Sequence, residues 1–531
     1  MPQTDGSAQY TENALRSFYD RRHPMYLELI EHWRFLFETY RGGRHWFENH
    51  IHKYHKEGTQ EYKNRLDRAY RFNHTREVVD LVQKYLFKGH INRNTDEAPE
   101  TVTAFWKAAM RGGAGIKTLM REASVKASIG GRTAIVVDNN FPSNVDEEGN
   151  RIPVSISAMQ GHRVYAYCVP VTDILDYAWD EDGDGELLWI KLREWVRDDT
   201  DPFEAAELVE PRVRLWTRDS WYLYQEVDEP DKTNRPARGK ENPKEIRSIG
   251  SGKHDLGEVP VRLLDNTISA DPYNAPSLIE DIAYLDRAVA NYLSNLDAII
   301  QDQTFSQLAI PAQGLNRGDD AYKKVLEMGT KRIFTYDAGM GSDAAPRFIS
   351  PDPKQAGVIL SVINKIINEI YHTVGLAGER TKEDNSVGID NSSGVAKAYD
   401  FERVNSLLTS KAAACEEIEN WMVRIVQKWH GAETVIDDLV SYPEGFDVLN
   451  LQDELTTAEA LGKINAPEEV RRHHMRQLVE KLFPQLKKDI KEGIIKAISE
   501  WQKPEESDAQ PSGDPVSAPN RQGQVTRDTP D

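Results

Sequence analysis

Between positions 276 and 304 apolar residues recur at steps of three and four. Ile279, Ile282, Leu285, Val289, Leu293, Leu296 and Ile299 alternate with Glu280, Asp281, Asp286, Asn291, Asn295 and Asp302. That period marks a helix with one face packed and one face wet, and Pro276 suits its first turn. At 1.5 Å per residue the helix is a rod of roughly 40 Å. Such a rod needs a large domain, or neighbouring copies of itself, to cover its apolar stripe.

The same periodicity predicts helices over 12–40, 59–73, 75–86, 101–110 and 116–129. Strand patterns follow at 133–137, 154–157, 163–169, 187–196, 213–217, 221–227 and 259–264. Residues 228–257 are charged and weakly patterned, which reads as a long exposed excursion. Beyond the central helix, strands at 332–335 and 347–349 flank a glycine-containing loop, 336–346. Helices then resume at 353, 395–429, 456–464, 467–482 and 486–501, and the last thirty residues have the composition of a disordered tail. The class is α+β, mainly helical.

A chain of 531 residues exceeds what one core usually serves, so several regions are expected. Its net charge of −20 argues against wrapping duplex nucleic acid with the general surface, which requires neutralising phosphates. An acidic wall past which a polyanion slides stays compatible with it. Two cysteines, Cys168 and Cys415, leave no disulfide framework and point to a reducing, intracellular setting. No apolar run is long enough for a membrane helix.

Four stretches invite a chemical reading, and each has a plainer one. Arg111 to Thr118 (RGGAGIKT) lacks the glycine that a phosphate-binding loop places directly before its lysine, so an interhelical turn is preferred. Asp180, Asp182, Asp184 and Gly185 begin like a calcium loop, but Lys191 stands where a bidentate glutamate belongs; an acidic hairpin turn is preferred. His45, His50, His52 and His55 share no tight helical face for a metal. Pro351 to Lys354 has only one acid of a nuclease centre. With no nucleophile, base and orienting acid in evident array, the chain reads as a non-enzyme without metal or cofactor.

The order of elements resembles the portal, or head-to-tail connector, proteins of tailed bacteriophages. Four stretches carry the resemblance: VPVRLL (259–264) leading through Asp265-Asn266 to the helix ending in Ser294-Asn-Leu-Asp297; FISPDP (348–353) before a long helix; NSSGVAK (391–397); and FERVNSLL (401–408). The resemblance implies a fold of wing, stem, clip and crown regions assembling as a ring. Its boundaries here would be 1–189 for an N-terminal wing region, 190–258 for the clip and flanking strands, and 259–304 for the stem start and stem helix. Wing strands with a tunnel loop would take 305–352, channel and wing helices 353–450, crown helices 451–502 and the tail 503–531.

The implied function is a channel for double-stranded DNA packaging and ejection at one capsid vertex of the virion, after assembly in the host cytoplasm. Implied partners are about twelve copies of the chain, the DNA, the terminase large subunit, head–tail adaptors, and the major capsid protein, with scaffolding protein as a further candidate and no membrane. Tyr336, Asp337, Gly339, Met340, Gly341, Ser342 and Asp343 would form the tunnel loop. Ile282, Leu285, Val289, Leu293, Leu296 and Ile299 would pack the stem, its apolar edges sealing against neighbouring copies, and Glu280, Asp286 and Asp297 are candidate channel-facing acids. The alternatives are a capsid or connector protein without a DNA channel, and an enzyme acting on nucleic acid.

Overall fold

The computed structural model describes residues 11–500 apart from 56, 90, 142–160, 181–184, 198, 200, 204–205, 207, 229–243, 268–270, 305–306, 312–319, 321–332, 337–346, 350–352, 377–393, 444, 447–466 and 483–487. It is mainly helical with smaller sheets, in two compact units, 1–447 and 448–531.

The first unit opens with helices α1 (Glu12–Asp20), α2 (Pro24–Arg41), α3 (Arg44–His50), α4 (Thr59–Arg68) and α5 (His74–Leu86). The single helix expected over 12–40 is therefore two. Arg21 and His23 are extended, and Pro24, which lacks an N–H and disfavours a helical residue before it, starts the second. After β1 (Asn92–Arg93) come α6 (Glu100–Lys107), α7 (Ile116–Gly130), β2 (Arg132–Asn139) and β3 (Val164–Pro170). A meander follows, β4 (Ile174–Trp179), β5 (Leu187–Val196), β6 (Glu210–Thr217), β7 (Ser220–Asp228) and β8 (Lys244–Lys253), then β9 (Val261–Asp265).

Strand β2 is flanked by β3 and β9, antiparallel to both. Ala134 to Val137 are fully buried because both faces of β2 are covered. Ile135 and Val137 join the helical core with Leu119, Val289 and Ile425. Ala134 and Val136, pointing the other way, join Ile190, Leu192 and Trp216 of the meander. The meander's second face carries Val213, Tyr224 and Ile246 against Tyr19, Tyr26, Ile30 and Trp33 of α1 and α2.

Residues 228–257 are thus not wholly an exposed excursion: Lys244–Lys253 pairs along β7. As the outer strand it buries chiefly Ile246, so no alternating signal marks it. Strand β4 carries no strand signal in the sequence either. In ILDYAW the first four residues are all buried, Asp176 beside Arg21 among them, which hides the period of two. The strand read at 154–157 lies outside the described residues, as does the helix at 456–464.

The central helix α8 spans Ile282–Thr304, six residues shorter than the sequence indicates. Ser277 and Leu278 are drawn away by the end of α7: Ser277 Oγ donates to the Ser128 and Ile129 carbonyls, and Leu278 N donates to Ser128 O. Past α8, β10 (Gln307–Pro311) pairs in parallel with β11 (Ile333–Tyr336) and antiparallel with β12 (Arg347–Ile349). Then come α9 (Pro353–Thr373), α10 (Gly394–Trp429) and β13 (Val440–Ser441), which pairs with β1. The second unit contains α11 (Glu468–Leu482) and α12 (Lys488–Glu500), packed on each other. No described helix is long and apolar enough to cross a membrane.

Candidate functional site

Helices α8 and α9 form an antiparallel pair. Gln307, just past α8, is paired with Ile349, just before α9, so the helices are joined at one end by the β10–β12 sheet. At the other end both reach the N-terminus of α5: Asp286 of α8 meets Thr75, and Tyr371 of α9 meets His74. Between them lie Ile282, Val289, Leu293, Leu296, Ile363, Ile367 and Ile370, all buried in the main core with Leu408 and Met422 of α10.

The apolar stripe proposed to seal copies together is therefore spent inside the chain. Ile282, Val289, Leu293 and Leu296 are buried, Leu285 packs on the same core, and Ile299 is half-buried. Apolar residues that remain exposed on the pair are Tyr284, Tyr292 and Ile300 on α8 and Val358 and Leu360 on α9.

The polar face of α8 departs further from expectation. Asp286, read as a channel-facing acid, is fully buried. Its Oδ2 accepts from Thr75 N at 3.0 Å, Thr75 Oγ1 at 2.7 Å and Arg71 Nη2 at 3.0 Å. Thr75 N is one of the donors that the first turn of α5 leaves unpaired, so the carboxylate satisfies the helix end and its dipole together. The Arg71 side chain is 3% exposed, its guanidinium lies 4.1 Å over the Trp46 ring, and Nη2 also reaches Thr39 O. Burial lowers the Arg71 pKa from its ordinary value, with Asp286 opposing.

Two more arginines reach the same face. Arg65 donates to Ser294 Oγ at 2.9 Å and holds Glu57, while Arg68 Nε meets Asp297 Oδ2 at 3.0 Å. Asn291 accepts from His52 N and donates to His50 O. The chain from α3 to α5 is a clasp along α8. Of the three acids proposed for a channel, Asp286 is enclosed, Asp297 is tied to Arg68, and Glu280 sits half-exposed before the helix, 3.9 Å from His32. The signal available in the sequence was the spacing of Arg65, Arg68 and Arg71, three residues apart.

At the foot of α8 a cavity of about 410 Å³ is lined by Ser277, Glu280, Ile282, Thr373, Arg403 and Leu407. One turn beyond Leu407, Lys411 is buried and donates to Ser128 Oγ and to Asn266 Oδ1, both uncharged. Desolvation lowers its pKa from 10.5 to about 8. The unfolded chain thus holds this proton up to about pH 10.5 and the folded chain only to about pH 8. Stability rises with pH across that interval, and the cost is fully present below it. Lys411→Met is expected to raise stability at pH 7 by about 1–2 kcal/mol and to flatten the rise between pH 8 and 10. Urea unfolding of both proteins at pH 7 and 9.5 checks this.

Tyr336 closes β11, while Asp337, Gly339, Met340, Gly341, Ser342 and Asp343 lie outside the described residues. Around Arg111 the chain makes the expected interhelical turn, Gly113 N donating to Met110 O and Gly115 preceding α7. Asp180 belongs to the β4–β5 hairpin and pairs with Arg218. His50 pairs with Glu38 under Phe35 while His45 is exposed. Among the described residues no three His, Cys, Asp or Glu side chains gather as a metal site.

No family model matches this chain, and no curated protein does. Among solved structures, "Neck of empty GTA particle computed with C6 symmetry" aligns at 11% identity with a TM-score of 0.38, covering 80% of this chain and 89% of that one. "Neck of native GTA particle computed with C12 symmetry" aligns at 11% identity and a TM-score of 0.36, covering 74% and 85%.

Proposed function

We propose that this chain is a portal-type connector subunit. Copies close into a ring around a passage for double-stranded DNA at one vertex of a tailed-phage-like capsid. The ring receives the terminase motor during packaging and head–tail adaptors afterwards, and has no catalytic role or cofactor of its own. The observation that carries this reading is the α8–α9 pair: two long antiparallel helices, joined through a small sheet, braced by α10 and by the arginine clasp, with apolar residues exposed on both. Rigid staves of that kind, set side by side by a rotation that closes, line a passage. Of the four sequence stretches that resemble portals, the first covers β9 and the larger part of α8, the second ends β12 and reaches the first residue of α9, and the last two run into and along the first half of α10.

Electron microscopy and native mass spectrometry of the purified chain test the reading. A closed ring of about twelve copies with a hole wide enough for a duplex is expected; a monomer, or a compact particle without a passage, rejects it. The segment joining β11 to β12 carries Asp337 and Asp343 and no Lys or Arg between 337 and 346, which suits contact with passing phosphates without adhesion. Deleting 339–344 is expected to leave rings intact and to lower the length of DNA packaged. Normal packaging removes that role from the loop.

A further inference from the structure

In a chain of net charge −20, residues 101–121 hold Lys107, Arg111, Lys117 and Arg121 and no acid. All four are exposed. Lys107, Lys117 and Arg121 enter no hydrogen bond or ion pair among the described residues, unlike the arginines of the clasp. Arg111 is half committed: its Nη2 donates to Tyr165 Oη at 2.6 Å, and its guanidinium lies 4.7 Å over that ring. The acids flanking the stretch are Glu100, at the other end of α6, and Glu122, whose carboxylate lies 2.6 Å from Lys126 Nζ. Asp138 is buried and reaches the group only through Tyr165. Lys107 suits the C-terminal end of α6, but Lys117 lies in the first turn of α7, which has no acid and where positive charge opposes the helix dipole. Helix stability does not explain it.

The turn between α6 and α7 brings these cations together. Met110 N donates to Ala114 O at 2.9 Å and Gly113 N to Met110 O at 2.8 Å, which folds the chain back on itself. A β-carbon at Gly115 would lie 3.0 Å from Trp106 O and 3.3 Å from Lys107 O, so the residue before α7 rests against the end of α6. Lys107 is thereby brought to the start of α7, where Lys117 stands. Arg121 follows Lys117 one helical turn on, about 5–6 Å away between β-carbons. From β3, Arg163 Nη2 donates to the Met110 and Arg111 carbonyls at 2.8 Å each, which adds positive charge and occupies acceptors of the turn. Gly112 and Gly113 are exposed, and a β-carbon at either would meet nothing within 4 Å, so a ligand can come close to the main chain there.

We infer that this turn holds the phosphate backbone of double-stranded DNA, with Lys107, Lys117 and Arg121 neutralising phosphates and the main chain at Gly112 and Gly113 against one of them. No large apolar side chain is exposed within 101–121, so the surface lacks the anchor that a protein partner would use. Phosphate contacts need only charge and donors. The contact goes beyond the ring reading and does not depend on it. The segment 337–346 was assigned contact without adhesion, whereas this surface adheres.

Fluorescence anisotropy of a labelled duplex of about 30 base pairs, titrated with the full chain at about 50 to 200 mM salt, tests it. Lys107→Glu with Lys117→Glu and Arg121→Glu is expected to weaken binding at least about tenfold and to reduce the salt slope by about three. Lys63→Glu with Lys88→Glu and Lys365→Glu changes the net charge equally at exposed positions elsewhere, and should bind as the wild type does. Thermal melting followed by circular dichroism checks folding; should the first variant melt early, Lys117→Gln with Arg121→Gln replaces it. A wild type that binds no duplex at the lowest salt, an equal loss in the second variant, or displacement by polyglutamate as readily as by unlabelled DNA overturns the contact. A wild type that binds duplex yet stays monomeric removes the ring reading and leaves this contact standing.

Discussion

Asp286→Ala is expected to lower stability by about 3–5 kcal/mol, the usual result of removing one partner from a buried ion pair. The substitution leaves the Arg71 guanidinium, 3% exposed, without its counter-ion, and leaves Thr75 N and Oγ1 without their acceptor. Water cannot enter cheaply, because Trp46 covers Arg71 and the carboxylate is wholly enclosed. Asp286→Asn should lose less, since an amide oxygen can still accept from Thr75 N while the charge is gone. The loss should change little between low and high salt, as a pair this deep is poorly screened. Denaturant midpoints of the three proteins, at matched protein concentration, measure it. A cost below about 1 kcal/mol for the alanine variant would sink the idea that Asp286 pins α8 to α5.

Gly131→Ala is expected to cost about 3 kcal/mol or more and to reduce soluble yield, for two additive reasons. Gly131 has φ +81, a conformation that costs an L-residue about 1–2 kcal/mol. A β-carbon there would also lie 1.9 Å from Ala275 O and 3.0 Å from its carbonyl carbon. Those are backbone atoms, so relief requires moving the strand-to-helix connection that feeds α8. Gly131 O also accepts from Asn266 N, which ties the same crossing together. Thermal unfolding of the variant beside Gly113→Ala separates the terms: Gly113 has φ +85 but open space around it. Equal losses at the two positions would show that the close crossing adds nothing.

Portions of this architecture are written in local pattern. The bounds of β5 and β12 follow from the residues alone, Pro353 marks the start of α9, and α10 begins one residue before the sequence places it. The turn at Arg111 and the hairpin at Asp180 were legible for the same reason, since glycine and aspartate act on their nearest neighbours. The clasp was not, because Arg71 and Asp286 lie 215 positions apart and nothing local distinguishes a carboxylate that meets a guanidinium from one that meets water.

Local pattern was enough to show a long helix ending at Thr304, which of its residues are apolar and that acids lie between them, although it placed the start at Pro276, six residues too early. Helical period depends on steps of three and four along one chain, and is complete without knowing the surroundings. Only the folded chain shows that the apolar stripe is consumed by α9 and α10, and that two of the helix's acids are held by α4 and the chain just beyond it. It also decides that Tyr284, Tyr292 and Ile300 of α8 and Val358 and Leu360 of α9 stay exposed. Burial is a property of what packs from elsewhere, and only the assembled chain brings those partners together.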